Sequence, residues 1–197
     1  MSVELLAITP DAEALIERAG RICYASEPKG DPGAFIRRRL AEGHESIIEH
    51  ASATVLVECS RACSHQLVRH RLASYSQESQ RYVDAANFDY VTPPSIDENT
   101  RGRYERRTIW QNAMDDAAVS YERLRELGVP KEDARFVLPN ACLTRLVVTM
   151  NFRSWRHFIR IRGDKTAQWE IRDVAREVLA ILQLEAPSVF GDLEVSE

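Results

Sequence analysis

The spacing of apolar and polar residues changes period several times along the chain and predicts alternating strands and helices. Residues 3–8 read as a first strand closed by Thr9-Pro10, and Asp11 is set to start a helix to about Cys23, with Ala14, Leu15 and Ala19 at helical spacing. Residues 26–33, with two prolines and two glycines, read as a loop, and 34–42 as a short basic helix ended by Gly43. Its arginines, Arg37, Arg38 and Arg39, suit a solvated or intersubunit face. Residues 53–59 are apolar and β-branched enough for a strand, which runs into a helix over 60–69 capped by Ser60. On that helix Gln66, Arg69 and His70 share a face, with Ala62, Cys63 and Leu67 anchoring the other. Ser74-Tyr75-Ser76-Gln77 then reads as an irregular loop.

Pro93-Pro94 and the polar residues 95–100 read as a connector. A long helix follows, in which Trp110, Ala113, Met114, Ala117, Tyr121 and Leu124 repeat at three and four. Gly128-Val129-Pro130 closes it and begins another. Residues 143–150 form the strongest strand pattern, with Leu146, Val148 and Met150 on one face, and deliver Asn151-Phe152-Arg153 to the start of a helix. On that helix Arg153, Arg156, His157 and Arg160 make a basic stripe opposite Trp155, Phe158 and Ile159. Arg162 falls instead on the Trp155 and Ile159 side, aimed at protein or pocket, where a guanidinium needs anionic or hydrogen-bonding company. Residues 167–184 close the core with Ile171, Val174, Ala175, Val178 and Leu182 on one face.

Composition narrows the class. A chain of 197 residues suits one domain, 1–197, with a real core; 44% hydrophobic and 28% charged residues are ordinary for a soluble protein. No apolar run approaches the ~20 residues of a membrane span, and the N-terminus lacks a leader pattern, so the expected location is cytoplasmic. Four scattered cysteines, Cys23, Cys59, Cys63 and Cys142, read as buried free thiols. His44 and His50 are six residues apart, the wrong spacing for two ligands to one ion on a regular helix, so no metal is expected. The net charge of −4, with arginines locally clustered, argues against a protein that coats nucleic acid and for a small anionic ligand.

The arginines concentrate in residues 69–81, a run with three guanidinium groups, one histidine, three serine hydroxyls and two amides. Such donors suit phosphate oxygens, although a solvated charged loop has the same composition. Arg69-His70-Arg71, followed after seven residues by Ser79 and then Arg81, resembles the signature of the flavin-dependent thymidylate synthases. Three further blocks fit in order: His44-Glu45-Ser46-Ile47-Ile48-Glu49-His50, Asn151-Phe152-Arg153-Ser154-Trp155-Arg156-His157, and Arg162 with Ala167-Gln168-Trp169-Glu170-Ile171. The resemblance spans roughly residues 40–185.

The resemblance implies a mixed α/β fold, a sheet flanked by long helices in a single domain, assembling as a homotetramer with active sites at chain junctions. It implies conversion of deoxyuridine monophosphate (dUMP) to thymidylate with methylenetetrahydrofolate as one-carbon donor and FAD reduced by NADPH, without a cysteine nucleophile. By resemblance, Gln66, Leu67, Val68, Arg69, Gln77, Glu78, Ser79, Gln80, Arg81, Arg135 and Arg162 hold the nucleotide. Ser46, Arg69, His70, Arg71, Gln77, Asn151, Phe152, Arg153 and His157 hold FAD, with Glu49 and His44 on the same wall, and Arg162 is catalytic. Without the resemblance, an ion pair with Asp133 or a nearby acid is the simpler reading of Arg135. The chain departs from family patterns at Gln77, where some members carry glutamate, at Glu78, where leucine is usual, and at Thr166, where histidine occurs. The rival readings are a flavoprotein reductase lacking methyl transfer and a non-catalytic binder of nucleotides or single-stranded nucleic acid, against which few interleaved aromatics and negative charge count.

Overall fold

A computed structural model of the chain describes residues 1–28, 30–83 and 88–196. Lys29, inside the expected 26–33 loop, lies outside the described residues. Among them, four strands form one sheet in the order β1-β2-β4-β3: β1 (Ser2–Ile8), β2 (Ser52–Ser60), β3 (Ser74–Gln77) and β4 (Leu143–Asn151). The chain is of mixed helix-and-sheet class, as expected. Two compact units divide it, one of Met1–Val57, Gln66–Ser76 and Leu146–Glu197, the other of Glu58–His65 and Gln77–Arg145.

In the first unit the period-2 patterns are realised directly. Ala53, Val55 and Val57 on β2, and Leu146, Val148 and Met150 on β4, are buried while their neighbours are half-buried or, at Arg145, exposed, because successive strand side chains point to opposite faces. β4 hands over at once to α7 (Phe152–Arg162), where the Asn151 side chain accepts the Ser154 N–H at 2.8 Å and satisfies a helix-start donor. Trp155, Phe158 and Ile159 are fully buried on α7, and the Trp155 indole N–H donates to the Ala53 carbonyl at 3.0 Å, fastening the helix to β2. Helix α8 (Trp169–Glu185) buries all five residues of its expected stripe, with Leu179.

At the N-terminal end, α1 (Ala12–Ile22) begins after Asp11, but not through a side-chain cap. Asp11 sits in the left-handed region at φ 48 and receives the Leu15 N–H on its backbone carbonyl. The buried face is Ala12, Ile16 and Gly20, not the one drawn through Ala14, Leu15 and Ala19. Both sets have helical spacing, and Gly20 decides between them: an added Cβ there would lie 2.8 Å from the Phe35 ring, so only this face lets α2 (Pro32–Ala41) approach closely. Helix α2 starts at Pro32, because the Asp31 carboxylate accepts the Gly33 and Ala34 N–H groups, and stops before Gly43 at φ 79. Its arginines pair locally, Arg37 with Asp31, and Arg38 and Arg39 with Glu42.

Three expectations fail nearby. Helix α3 (Arg61–Leu67) has the expected cap, Ser60 Oγ accepting the Cys63 N–H at 3.0 Å, but ends two residues before Arg69, which with His70 lies in a tight turn. Ser74-Tyr75-Ser76-Gln77 is a strand, β3, not an irregular loop, because β4 offers it a ladder partner that no local sequence reveals. Cys23 is exposed; Cys59, Cys63 and Cys142 are buried.

In the second unit, Pro94–Asp97 forms a single short helix, α4, where a connector was expected, because Pro94 suits a first helical turn. The long helix α5 (Arg103–Glu126) is present, but only Met114 and Tyr121 of its expected stripe are buried. Tyr121 and Ala134 centre a small core with Phe88, Leu124, Val129 and Leu138. Gly128, at φ 85, ends α5, and α6 (Lys131–Ala134) follows Pro130. Among the described residues no helix is long and apolar enough to cross a membrane.

Candidate functional site

The first unit contains a cavity of about 770 Å³ whose walls come from three sequence-distant segments. A 3-10 turn (Glu45–His50) supplies Glu45 and Glu49, and the turn after α3 supplies Arg69, His70, Arg71 and Leu72. Met150 and Asn151 come from the end of β4, one side of α7 supplies Arg153, His157 and Arg160, and the end of the helix supplies Arg162. Helical periodicity aligns Arg153, His157 and Arg160, and the abrupt strand-to-helix junction at Asn151 places them at the end of the sheet.

Eight residues expected at the site line this cavity: Glu49, Arg69, His70, Arg71, Asn151, Arg153, His157 and Arg162. Ser46 and Phe152 do not. Ser46 is exposed, and the Phe152 ring is fully buried 5.2 Å from Phe190, which leaves Phe152 only its backbone to offer. Arg156 is a correction to the basic stripe. It is 1% exposed and bonds Asp192 and the Val189 carbonyl, because its position on α7 lies at the border of the buried face. Glu45 was assigned no contact from sequence, yet its carboxylate lies 2.8 Å from Arg160 and 3.7 Å from Arg153, while Glu49 pairs with Arg153 at 2.5 Å. The legible signal was charge complementarity between an acidic segment and a basic stripe.

Arg162 finds the hydrogen-bonding company that its helical phase calls for. Its Nε donates to His70 Nε2 at 3.0 Å and its Nη2 to the Gln66 carbonyl at 3.3 Å. The Gln66 side-chain amide donates to Gln168 Oε1 at 3.3 Å. Since an arginine N–H can only donate, His70 Nε2 must carry a lone pair. Burial, then the Arg162 charge and His157, pushes the His70 imidazole down to about 4, so the ring is neutral at physiological pH. The Tyr75 hydroxyl contacts the Leu67 and His70 carbonyls, each at 2.8 Å, and burial pushes that phenol up to about 12. Leu67 is fully buried and Val68 exposed, so neither side chain enters the cavity.

The second unit holds the other expected nucleotide residues. Arg81 and Arg135 converge on Glu132: Arg81 pairs with its carboxylate at 2.9 Å and Arg135 Nε donates to its carbonyl at 3.0 Å. That main-chain bond stands where a pair with Asp133 was the simpler reading. Ser79 Oγ accepts the Arg81 N–H at 3.3 Å. Gln77 donates its amide to Ser64 Oγ and Thr144 Oγ1, at 3.1 and 3.2 Å. Glu78 pairs with Arg145 at 3.0 Å, and Gln80 borders a cavity of about 350 Å³ with Glu78 and Arg145. In the first unit Thr166 bonds Asp164 through both its N–H and its hydroxyl, holding that carboxyl below its usual range and shaping the turn before α8.

Fold and cavity together define a mixed α/β protein with an arginine-rich cavity built around a strand-to-helix junction. Residues 4–188 match the family model described as thymidylate synthase complementing protein. The chain belongs to that family. It is 46% identical, over 98% of its length and 86% of the relative's, to a flavin-dependent thymidylate synthase from Geobacter sulfurreducens. It is 41% identical, over 93% and 80% of the two chains, to one from Corynebacterium glutamicum, and 49% identical, over 76% and 61%, to one from Thermococcus onnurineus.

Proposed function

We propose that the chain converts dUMP to thymidylate as a flavin-dependent thymidylate synthase. The observation that carries the reading is Arg162, held by two hydrogen bonds at the wall of a cavity with further guanidinium groups, in a chain of this family.

The residues present fit a flavin dinucleotide. Arg69, Arg71, Arg153 and Arg160 offer planar donor forks to a diphosphate, Asn151 and His157 add hydrogen-bonding groups, and Leu72, Met150 and Ile161 give an apolar wall for a ring system. Arg153 and Arg160, now on Glu49 and Glu45, would have to exchange or share those carboxylates with the phosphates. When bound and reduced, the flavin supplies the hydride that brings the transferred one-carbon unit to a methyl group. In this proposal the flavin is FAD, NADPH reduces it and methylenetetrahydrofolate gives the carbon.

For the second unit, Arg81 and Arg135 are proposed to bind the nucleotide phosphate, with Gln77, Glu78, Ser79 and Gln80 contributing side-chain or backbone contacts. For the first unit, Gln66, Leu67, Val68 and Arg69 are proposed to contact nucleotide, the middle two through backbone. Arg162 stabilises negative charge developing on the uracil ring, a contribution of roughly 2.7 to 4 kcal/mol for one preorganised donor. Residues 1–197 acting as one functional domain, a cytoplasmic location and a homotetramer with sites at chain junctions belong to the same proposal.

The visible spectrum of the purified protein tests it. Oxidised-flavin absorbance that survives gel filtration, followed by single-turnover thymidylate formation with all substrates, is the expected result. A preparation that stays colourless after incubation with FAD overturns the reading, and flavin reduction without thymidylate would make the chain a reductase.

A further inference from the structure

We propose that His70 is a positioning residue for Arg162: its Nε2 accepts the Arg162 Nε–H and turns the guanidinium so that its remaining donors face the cavity. The inference rests on the reading of Arg162 as the group that stabilises charge on uracil, and goes beyond any role of His70 as a flavin contact.

The contact is 3.0 Å long and bridges residues 92 positions apart, so it exists only because the turn after α3 is brought against the last turn of α7. The second bond, Arg162 Nη2 to the Gln66 carbonyl, reaches the end of α3 just before that turn. Together they occupy two of the five guanidinium N–H groups on one edge and leave the others for a ligand. A side chain with several rotatable bonds is thereby fixed before substrate arrives, which is the form preorganisation takes at a charge-stabilising site.

His70 is itself held from three sides. The Phe158 ring, fully buried, meets the imidazole edge-on at 5.1 Å, and the His157 ring lies at 6.1 Å. The Tyr75 hydroxyl grips the His70 carbonyl and the Leu67 carbonyl, fixing the backbone of the turn from β3. The ring therefore cannot be replaced by a merely space-filling group without losing its lone pair.

The charges around His70 keep that lone pair available. Arg162 and His157 face it from α7, and Arg69 and Arg71 flank it in the turn; all are cationic or basic. The cavity carboxylates are engaged elsewhere, Glu45 on Arg160 and Glu49 on Arg153. Protonating His70 would place two N–H donors against each other and release Arg162. Burial and these neighbours oppose that protonation throughout the neutral range.

Two measurements on the full chain, with its bound flavin, test the inference. In ring-nitrogen NMR of histidine-labelled protein, one imidazole should remain a neutral Nδ1–H tautomer from pH 8 to pH 5. Its signal should be missing in His70→Gln, and in Arg162→Ala it should titrate at higher pH. In single-turnover thymidylate formation at saturating flavin, His70→Leu should be slowed on the order of 10- to 100-fold, as expected for a misplaced catalytic group. His70→Gln, whose Oε1 restores an acceptor near the Nε2 position, should recover most of the loss. Equal rates in His70→Leu and His70→Gln, whether both wild type or both impaired, would overturn the positioning role, as would an Nε2-protonated neutral His70 in the wild-type protein. Wild-type product formation by Arg162→Ala would instead overturn the catalytic reading underneath it, and the tautomer measurement tells the two failures apart.

Discussion

Arg156 donates to both carboxylate oxygens of Asp192, at 2.5 and 2.7 Å, and its Nη1 also donates to the Val189 carbonyl. The pair takes a guanidinium out of the cationic stripe of α7 and uses it to tie the segment after α8 to that helix. Arg37 Nη1 on Ser188 Oγ and the Ser188 N–H on Glu13 fasten the same segment from the α1 and α2 side.

Because Arg156 is 1% exposed whereas the Asp192 side chain is 58% exposed, losing the acid costs more than its own solvation suggests: it strands a buried cation. Asp192→Ala should therefore lower stability by about 2 kcal/mol, the solvated partner making this smaller than for a fully buried pair. The urea midpoint measures it. The Arg156 hydrogen bond, outweighing some burial, holds the Asp192 carboxyl below its ordinary value of 3.8. Its contribution is thus fully present above that value and is lost as the pH falls through the lowered folded value. The stability gap between wild type and Asp192→Asn should be constant near neutrality and close only in strong acid; a gap that closes between pH 7 and 5 would contradict the assignment.

Arg162→Ala should slow single-turnover thymidylate formation by about two orders of magnitude, the scale of one preorganised donor, while flavin stays bound and is reduced at the wild-type rate. Arg162→Lys should recover only part, since an ammonium group cannot donate to His70 Nε2 and the Gln66 carbonyl with the same planar fork.

Arg81→Ala and Arg135→Ala should each weaken dUMP binding by about tenfold or more, as expected for a charge-assisted contact, with little change in flavin content. Isothermal titration with dUMP reads this. Glu132→Gln should act in the opposite direction, because Arg81 would no longer be neutralised at 2.9 Å.

Of the four thiols only Cys23 is exposed, and burial pushes the Cys142 thiol up to about 11, against the opposing Arg61 charge. Iodoacetamide at pH 8 should label one thiol per native chain, at Cys23, without loss of activity. Cys63→Ser should retain thymidylate formation; its selective loss with an intact fold would restore a cysteine mechanism.

Tyr75→Phe removes the donor shared by the Leu67 and His70 carbonyls. It should cost about 1 kcal/mol of stability, the usual net value of a protein hydrogen bond. It should also loosen the turn that carries Arg69, His70 and Arg71, seen as weaker flavin retention on gel filtration.

The chain's local patterns determined the elements that repeat regularly enough to be read without neighbours. The switch from period 2 over β4 to period 3.6 over α7 was visible in Leu146, Val148 and Met150 followed by Trp155, Phe158 and Ile159, and Asn151 marked the junction as a cap. The buried stripe of α8 was equally plain, and the concentration of arginines in residues 69–81 was visible from composition alone.

Tertiary structure decided whatever depended on a partner distant in sequence. Two faces of α1 had equal claim by spacing, and the approach of Phe35 to Gly20 selected one. The four residues of β3 were too few to show a period, and became a strand because β4 was there to pair with. Helical phase placed Arg156 in the basic stripe but could not reveal that Asp192 and the Val189 carbonyl would draw it inside. Likewise the sequence pointed Arg162 towards protein, and only folding supplied His70. Side-chain direction follows from backbone period, whereas hydrogen-bond company is a property of three-dimensional neighbours, which the chain specifies only as a whole.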